Sequence, residues 1–173
     1  MRSTKKTVQL LLAITLLVSF PIVASALESD VDEPIEVEAN SVEIVEESGK
    51  SIYKGNVVLI QGSIRIDADK VTVIQHETKS DQIKAVGRPV RITQKSQDGK
   101  KPVKGRSSRM EYDVDSDMLY LIGNAVLTQG KDTFKSDRIA YDRKKSLIKG
   151  GTSAKGKQRV RVTIKSKKKK EDK

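Results

Sequence analysis

Residues 53–73 read YKGNVVLIQGSIRIDADKVTV, and residues 121–141 read LIGNAVLTQGKDTFKSDRIAY. They align without a gap at an offset of 68. From Gly55 and Gly123 onward seven of nineteen positions are identical: Gly55, Asn56, Val58, Leu59, Gln61, Gly62, Asp69 and their partners. Residues 86–93, VGRPVRIT, form a weaker third copy of the first half. A smaller motif recurs at residues 39–44, 68–73, 107–112 and 136–141, with successive spacings of 29, 39 and 29. Short units repeated in this way predict stacked modules that share one core.

Each unit alternates like a strand. Apolar residues stand two apart in Ile35/Val37, Val42/Ile44, Ile64/Ile66, Val71/Val73, Val90/Ile92, Met110/Tyr112, Ile139/Tyr141 and Val160/Val162/Ile164. Charged or polar residues such as Glu36, Arg65, Arg91 and Arg161 sit between them. Period two puts the apolar set on one sheet face and the polar set on the other. Turn signals interrupt the pattern at Glu47-Ser48-Gly49, Gln61-Gly62, Asp98-Gly99, Asp115-Ser116-Asp117, Gln129-Gly130 and Gly150-Gly151. The pairs Gly55-Asn56 and Gly123-Asn124 read as strand openings. The expected fold is all-β, with many short antiparallel strands in a jelly roll or flattened two-sheet stack.

The chain has 173 residues, no cysteine and one histidine. That length suits one domain. The composition excludes disulfides, thiolate metal sites, a Cys nucleophile and a histidine-built zinc site. Residues 1–26 read as a cleaved export signal: basic Arg2, Lys5 and Lys6, an apolar stretch from Val8 to Val23, and Ala24-Ser25-Ala26 as the cleavage site. The domain then runs over 27–164, with a basic disordered tail at 165–173. With this leader the periplasm is the most economical compartment. Charge divides along the mature chain. Residues 27–49 hold nine acids and no Lys or Arg, whereas residues 143–173 hold fourteen Lys or Arg and two acids. Unlike ends predict heterologous, head-to-tail association.

No catalytic constellation emerges. Asp113-Val114-Asp115-Ser116-Asp117 opens like a calcium loop but puts Met118 and Asn124 where glycine and glutamate are required, so it reads as a hairpin turn. Asp67 and Asp69 share a face. Asp69 recurs as Asp137, with Asn40 and Ser108 in the other copies, which suggests side chains bonding backbone at a turn or strand start. His76 reads as an exposed loop residue. No metal, cofactor or enzymatic activity is expected.

Three runs, taken together, resemble the OstA-like family: residues 34–39 (PIEVEA), 53–62 (YKGNVVLIQG) and 66–73 (IDADKVTV). Gly87-Arg88-Pro89, residues 99–105 (GKKPVKG) and residues 121–127 (LIGNAVL) agree in order and spacing. The likeness covers roughly 34–164, and the lysine-rich tail departs from it. The resemblance implies a twisted β-jelly roll that carries lipopolysaccharide from the inner to the outer membrane. It also implies copies joined end to end between inner-membrane and outer-membrane partners of related fold, with no cofactor; the export leader and the lack of basic-aromatic interleaving argue against nucleic acid as a partner. Matched residue by residue, it puts lipid-facing positions at Ile35, Val37, Ile92, Tyr112 and Val114. Alternation alone adds Ile60, Ile66, Phe134 and Tyr141. Aromatic residues are 3% of the chain, so a β-branched lining can leave a slot that rings would fill. Read without the resemblance, the same residues also fit an envelope scaffold with a closed core, or a secreted polyanion-binding module driven by the tail.

Overall fold

The computed structural model describes residue 30 and residues 33–76, 78–95, 101–151 and 159–165. Among them the strands are β1 (Glu36–Glu38), β2 (Ser41–Val45), β3 (Lys50–Gln61), β4 (Ile64–Ile74), β5 (Gln82–Gln94), β6 (Val103–Asp113), β7 (Met118–Gln129), β8 (Asp132–Asp142), β9 (Leu147–Gly150) and β10 (Arg161–Thr163). All pairing is antiparallel, in the order β1-β3-β4-β5-β6-β7-β8-β10. β2 joins the first half of β3, and β9 joins the second half of β8. The offset of 68 carries β3 onto β7 and β4 onto β8 end for end. The expected all-β antiparallel fold is what the structure has.

The strands are not uniformly short. Six run for 11 to 13 residues, and the register shifts midway along each central ladder. The shifts fall at Lys54/Val57, Asp67/Lys70, Val86/Val90, Arg106/Arg109 and Ile122/Ala125. These irregularities line up across the sheet, as bulges that bend a strand do, so the sheet folds over into two layers. Layer A holds β1, the second halves of β3, β5 and β7, the first halves of β4, β6 and β8, and β10. Layer B holds the complementary halves with β2 and β9.

The glycine-asparagine pairs therefore sit inside strands, at the bend, and do not open them. Gly55 and Asn56 have φ of 81° and 47°; Gly123 and Asn124 have 79° and 50°. Two successive left-handed residues turn the chain, and only Gly, with Asn or Asp, adopts that conformation cheaply. The recurring Asp69, Ser108 and Asp137 mark the same line. They were expected to bond backbone, yet none of their side chains does so among the described residues; Asp69 instead lies 3.8 Å from Arg88. Asp98-Gly99 falls outside the described residues.

The two layers close on each other. A Cβ added to Gly105 in layer A would lie 2.7 Å from Ile92 Cγ2 and 2.9 Å from Leu121 Cδ1 in layer B. Only glycine lets the opposing Leu121 reach that backbone. The buried cluster draws on both layers, with Leu59, Ile66, Leu127, Val71, Met110 and Leu121 at its centre.

Candidate binding groove

Register turns the alternation into transverse rows. On the inner face of layer A one row runs Val37, Leu59, Ile66, Ile92, Gly105, Leu127, Phe134 and Val162, each opposite the next. On layer B an inner row nearer the mouth runs Val73, Ile83, Tyr112, Leu119, Tyr141 and Ile148. The structure thus gathers Val37, Ile66, Ile92 and Phe134 into one row and Tyr112 and Tyr141 into the other. Val114 follows β6 and is buried in the same cluster, and Ile35 packs against it from beside β1.

Ile60 does not belong. It is 37% exposed on the outer face of layer A, while its neighbour Leu59 is fully buried. Successive strand residues face opposite ways, so Leu59 and Ile60 cannot both line the interior. The repeat carried the signal: the partner of Ile60 at the offset of 68 is the polar Thr128.

The space between the layers has a closed side and a mouth. At the bend the layers are joined by six continuous strands. At the mouth the turns of layer A approach those of layer B, and a buried polar cluster spans them. Arg143, just past β8 in layer B, has a side chain only 6% exposed. Its guanidinium donates to Asp30 Oδ2 at 2.5 Å, to Asp117 Oδ1 at 2.5 Å, to the Tyr112 hydroxyl at 2.8 Å and to Gln94 Oε1 at 3.4 Å. Asp30 is fixed to layer A, because its carboxylate accepts the Ser63 backbone N–H and the Ser63 hydroxyl at 2.6 and 2.9 Å. The Gln94 amide adds a bond to Asp30 at 3.2 Å. Tyr112 donates its hydroxyl to Asp117 at 2.8 Å, and Gln129 of layer A donates to the Tyr141 hydroxyl at 3.4 Å.

A buried cation between two carboxylates satisfies charges that would each be costly alone. Burial pushes the Tyr112 phenol well above its usual range; the Arg143 cation pulls it back and the Asp117 carboxylate pushes with burial. Burial likewise raises Tyr141. Both rings therefore stay neutral at ordinary pH, with their hydroxyls as the polar rim of an apolar interior.

The sequence did not single out Asp30, Arg143, Ser63 or Gln94, and it read Asp117 only as part of a hairpin turn. Arg143 stands where the first repeat has Gln75, and that mismatch was the available pointer. The other candidates resolve simply. Asp113 accepts bonds from Ser80 and Ser116 and builds a turn. Asp67 pairs with Arg65 at 2.7 Å. His76 is exposed and donates its backbone N–H to Asp81.

Residues 36–147 match the family described as LptA/(LptD N-terminal domain) LPS transport protein. The chain is 35% identical to the lipopolysaccharide export system protein LptA of Escherichia coli (strain K12) over 167 residues, which cover 95% of this chain and 89% of that one. It is 32% identical to the lipopolysaccharide export system protein LptH of Pseudomonas aeruginosa over 129 residues, 74% of each. The crystal structure of LptH, the LptA-homologous periplasmic component of the lipopolysaccharide transport device of that organism, superposes with a TM-score of 0.73 at 28% identity. The overlap takes in 80% of this chain and all of that one. The repeats, the folded-over sheet and these matches agree: the chain belongs to the LptA/LptD N-terminal family of lipopolysaccharide transport proteins.

Proposed function

We propose that this chain carries lipopolysaccharide across the periplasm, from inner to outer membrane, with the acyl chains held between the inner faces of layers A and B. The observation that supports this most is the pair of apolar inner faces closed on one side by covalent strands and on the other only by side chains. The interior is packed with side chains, so cargo must part the layers. Burying each CH₂ contributes ~0.8 kcal/mol. Parting the mouth breaks a buried ion cluster whose freed charges regain water, so the cost stays below the ~3–5 kcal/mol of stranding a buried charge. About six methylenes offset that cost, and a multi-chain lipid supplies many more. The chain acts as a binding protein without chemistry of its own.

The mouth is the way in. Tyr112 and Val114 sit beside the Arg143 cluster, whereas Ile66, Ile92 and Phe134 lie deeper along the groove. Ile35 and Val37 bring the first strand to its N-terminal edge.

Copies join head to tail. β1 and β2 at one edge carry Glu36, Glu38 and Glu43, while β10 at the other carries Arg161. Apolar side chains are exposed at both edges: Val42 and Ile44 on β2, Val162 on β10 and Ile164 just beyond. Unpaired strand edges recruit further strands, and opposite charge orients the encounter. Inner-membrane and outer-membrane components of related fold would cap the array in the same way.

The test is mass spectrometry of lipid extracted from the mature protein purified from its native envelope. Stoichiometric lipopolysaccharide is expected. A lipid-free protein that still bridges envelope partners would establish the scaffold reading instead.

A further inference from the structure

The outer face of layer A has a feature that the groove does not use. Across the strands the register aligns Arg91, Arg106, Val126, Lys135 and Arg161. Arg91 stands directly opposite Arg106, and Lys135 directly opposite Arg161. Like charges in such pairs destabilise a sheet. Among the described residues none of these four cations makes an ion pair, nor does Arg159. This contrasts with Arg65, Arg109 and Lys54, each of which has an acidic partner.

The cations surround a cavity of about 580 Å³ on the outside of the bend, lined by Arg106, Asn124, Lys135, Ser136, Arg159 and Arg161 among others. Two smaller hollows continue it along the bend. One shares Arg106 and Asn124 and reaches Arg88, and the next holds Arg88 and Arg91 together with Asp67 and Asp69. The result is a furrow that crosses the strands, basic around the first cavity and mixed in charge at its far end, where Asp67 stands opposite Arg91.

We propose that this furrow binds a phosphorylated saccharide. Several features of the furrow select that class. Three guanidiniums and an ammonium within one cavity suit oxyanions, and the guanidinium fork matches phosphate oxygens bidentately. Four positive charges match about two phosphate monoesters, at −1.5 to −2 each. Three strand steps separate Arg106 from Arg161, about 14 Å at the usual spacing, which exceeds a lone phosphate. The cavity falls within the size range of small-ligand sites. Asn124 offers an exposed amide for hydroxyl groups. Ser136 already accepts the Gly151 N–H and keeps its own proton to donate. No aromatic ring lines the furrow, so a nucleobase has no stacking platform there. The furrow lies outside the layers, so it engages the hydrophilic part of a ligand without requiring the groove to open. The ligand can come as the phosphorylated head group of a lipid or as a lipid-free phosphorylated sugar.

The experiment uses the mature chain and isothermal titration at low and physiological salt. The probes are lipid-free phosphorylated oligosaccharide released from lipopolysaccharide by deacylation, the same sugar after phosphatase treatment, intact lipopolysaccharide, and phosphatidylglycerol vesicles. Two variants remove equal charge from exposed positions. One is Arg106→Gln/Lys135→Gln/Arg161→Gln at the furrow; the other is Lys50→Gln/Lys70→Gln/Lys84→Gln in layer B. Circular dichroism checks that both keep the β signature. The furrow variant should bind the phosphorylated sugar at least tenfold more weakly, and the layer B variant within twofold of the parent. Phosphatase treatment should weaken binding to the parent as much as the furrow variant does. If intact lipopolysaccharide shows the same loss, the lipid head group is a source; if only the free sugar does, the source is lipid-free. Equal losses in both variants, no loss in either, or indifference to phosphatase would overturn the proposal. So would preference for vesicles over sugar, which would mark the furrow as a membrane-docking face. Failure of the interior to capture lipid would end the carrier reading and leave this result standing.

Discussion

The bend and the mouth join the same two layers by different chemistry. At the bend, continuous strands turn through paired left-handed residues, Gly55-Asn56 and Gly123-Asn124. The connection is covalent, and its cost is conformational. At the mouth, Arg143, Asp30, Asp117 and Tyr112 hold the layers by hydrogen bonds and charge. The first join can flex but not part. The second can part completely if its charges find water or another partner. A container that must admit a bulky amphiphile needs one side of each kind, and only the mouth has the chemistry of an opening.

Changing Arg143 should have the largest effect. Arg143→Met keeps an unbranched apolar stem, removes the guanidinium and leaves Asp30 and Asp117 buried without their cation. Stability should fall by about 3–5 kcal/mol, read as the urea midpoint. The lipid on-rate should rise, because the mouth has lost its tie. A stability loss with no faster uptake would mean that cargo arrives elsewhere.

The bend should respond differently. Gly123→Ala forces a side chain into φ of 79° and brings a Cβ to 3.1 Å from Ser108 Oγ. A cost of about 1–2 kcal/mol is expected from the left-handed backbone, with lipid uptake unchanged. An increase in uptake equal to that of Arg143→Met would erase the distinction between the two sides.

Tyr112→Phe should have the smallest effect, about 1 kcal/mol, since Asp117 keeps its bond to Arg143. Its signature is in the pH dependence. The folded phenol titrates above its unfolded value of ~10, because burial disfavours the anion. A raised folded value contributes stability that is complete below pH ~10 and is lost as pH climbs beyond it. The parent should therefore lose stability above pH ~10 more steeply than Tyr112→Phe. Parallel alkaline curves would contradict the buried, neutral phenol.

Much of this was legible in the sequence, and the gaps have physical causes. The repeat at an offset of 68 reproduces a pair of strands, so β3 with β4 and β7 with β8 could be read directly. Alternation located Ile66 and Tyr141 on inner faces, because each has an apolar neighbour two residues away, and it also agrees with Ile92 and Tyr112, which the family resemblance indicated; Phe134 stands between the polar Asp132 and Ser136 and has no such support. It misplaced Ile60 because a run of four apolar residues, Val57 to Ile60, hides the phase, and only the partner Thr128 reveals it. Strand lengths were underestimated because Gly-Asn looks like an end when it is a kink. The mouth cluster was not legible at all. Asp30 and Arg143 lie 113 residues apart, and no local period reports which turns meet when a sheet folds over. The basic furrow was hidden for a related reason: Arg91, Arg106, Lys135 and Arg161 become neighbours only through register.

The central claim is that cargo lies between the layers and not on them. Photoreactive residues placed singly at Val37, Ile92 and Phe134 test it against the same probe at Ile60. The first three share one inner row, while Ile60 stands 37% exposed on the outer face of that layer. Irradiation during transport should yield lipopolysaccharide adducts at the three inner positions and little or none at Ile60. Adducts at Ile60 as abundant as those at Ile92 would place the lipid outside the fold and contradict the account.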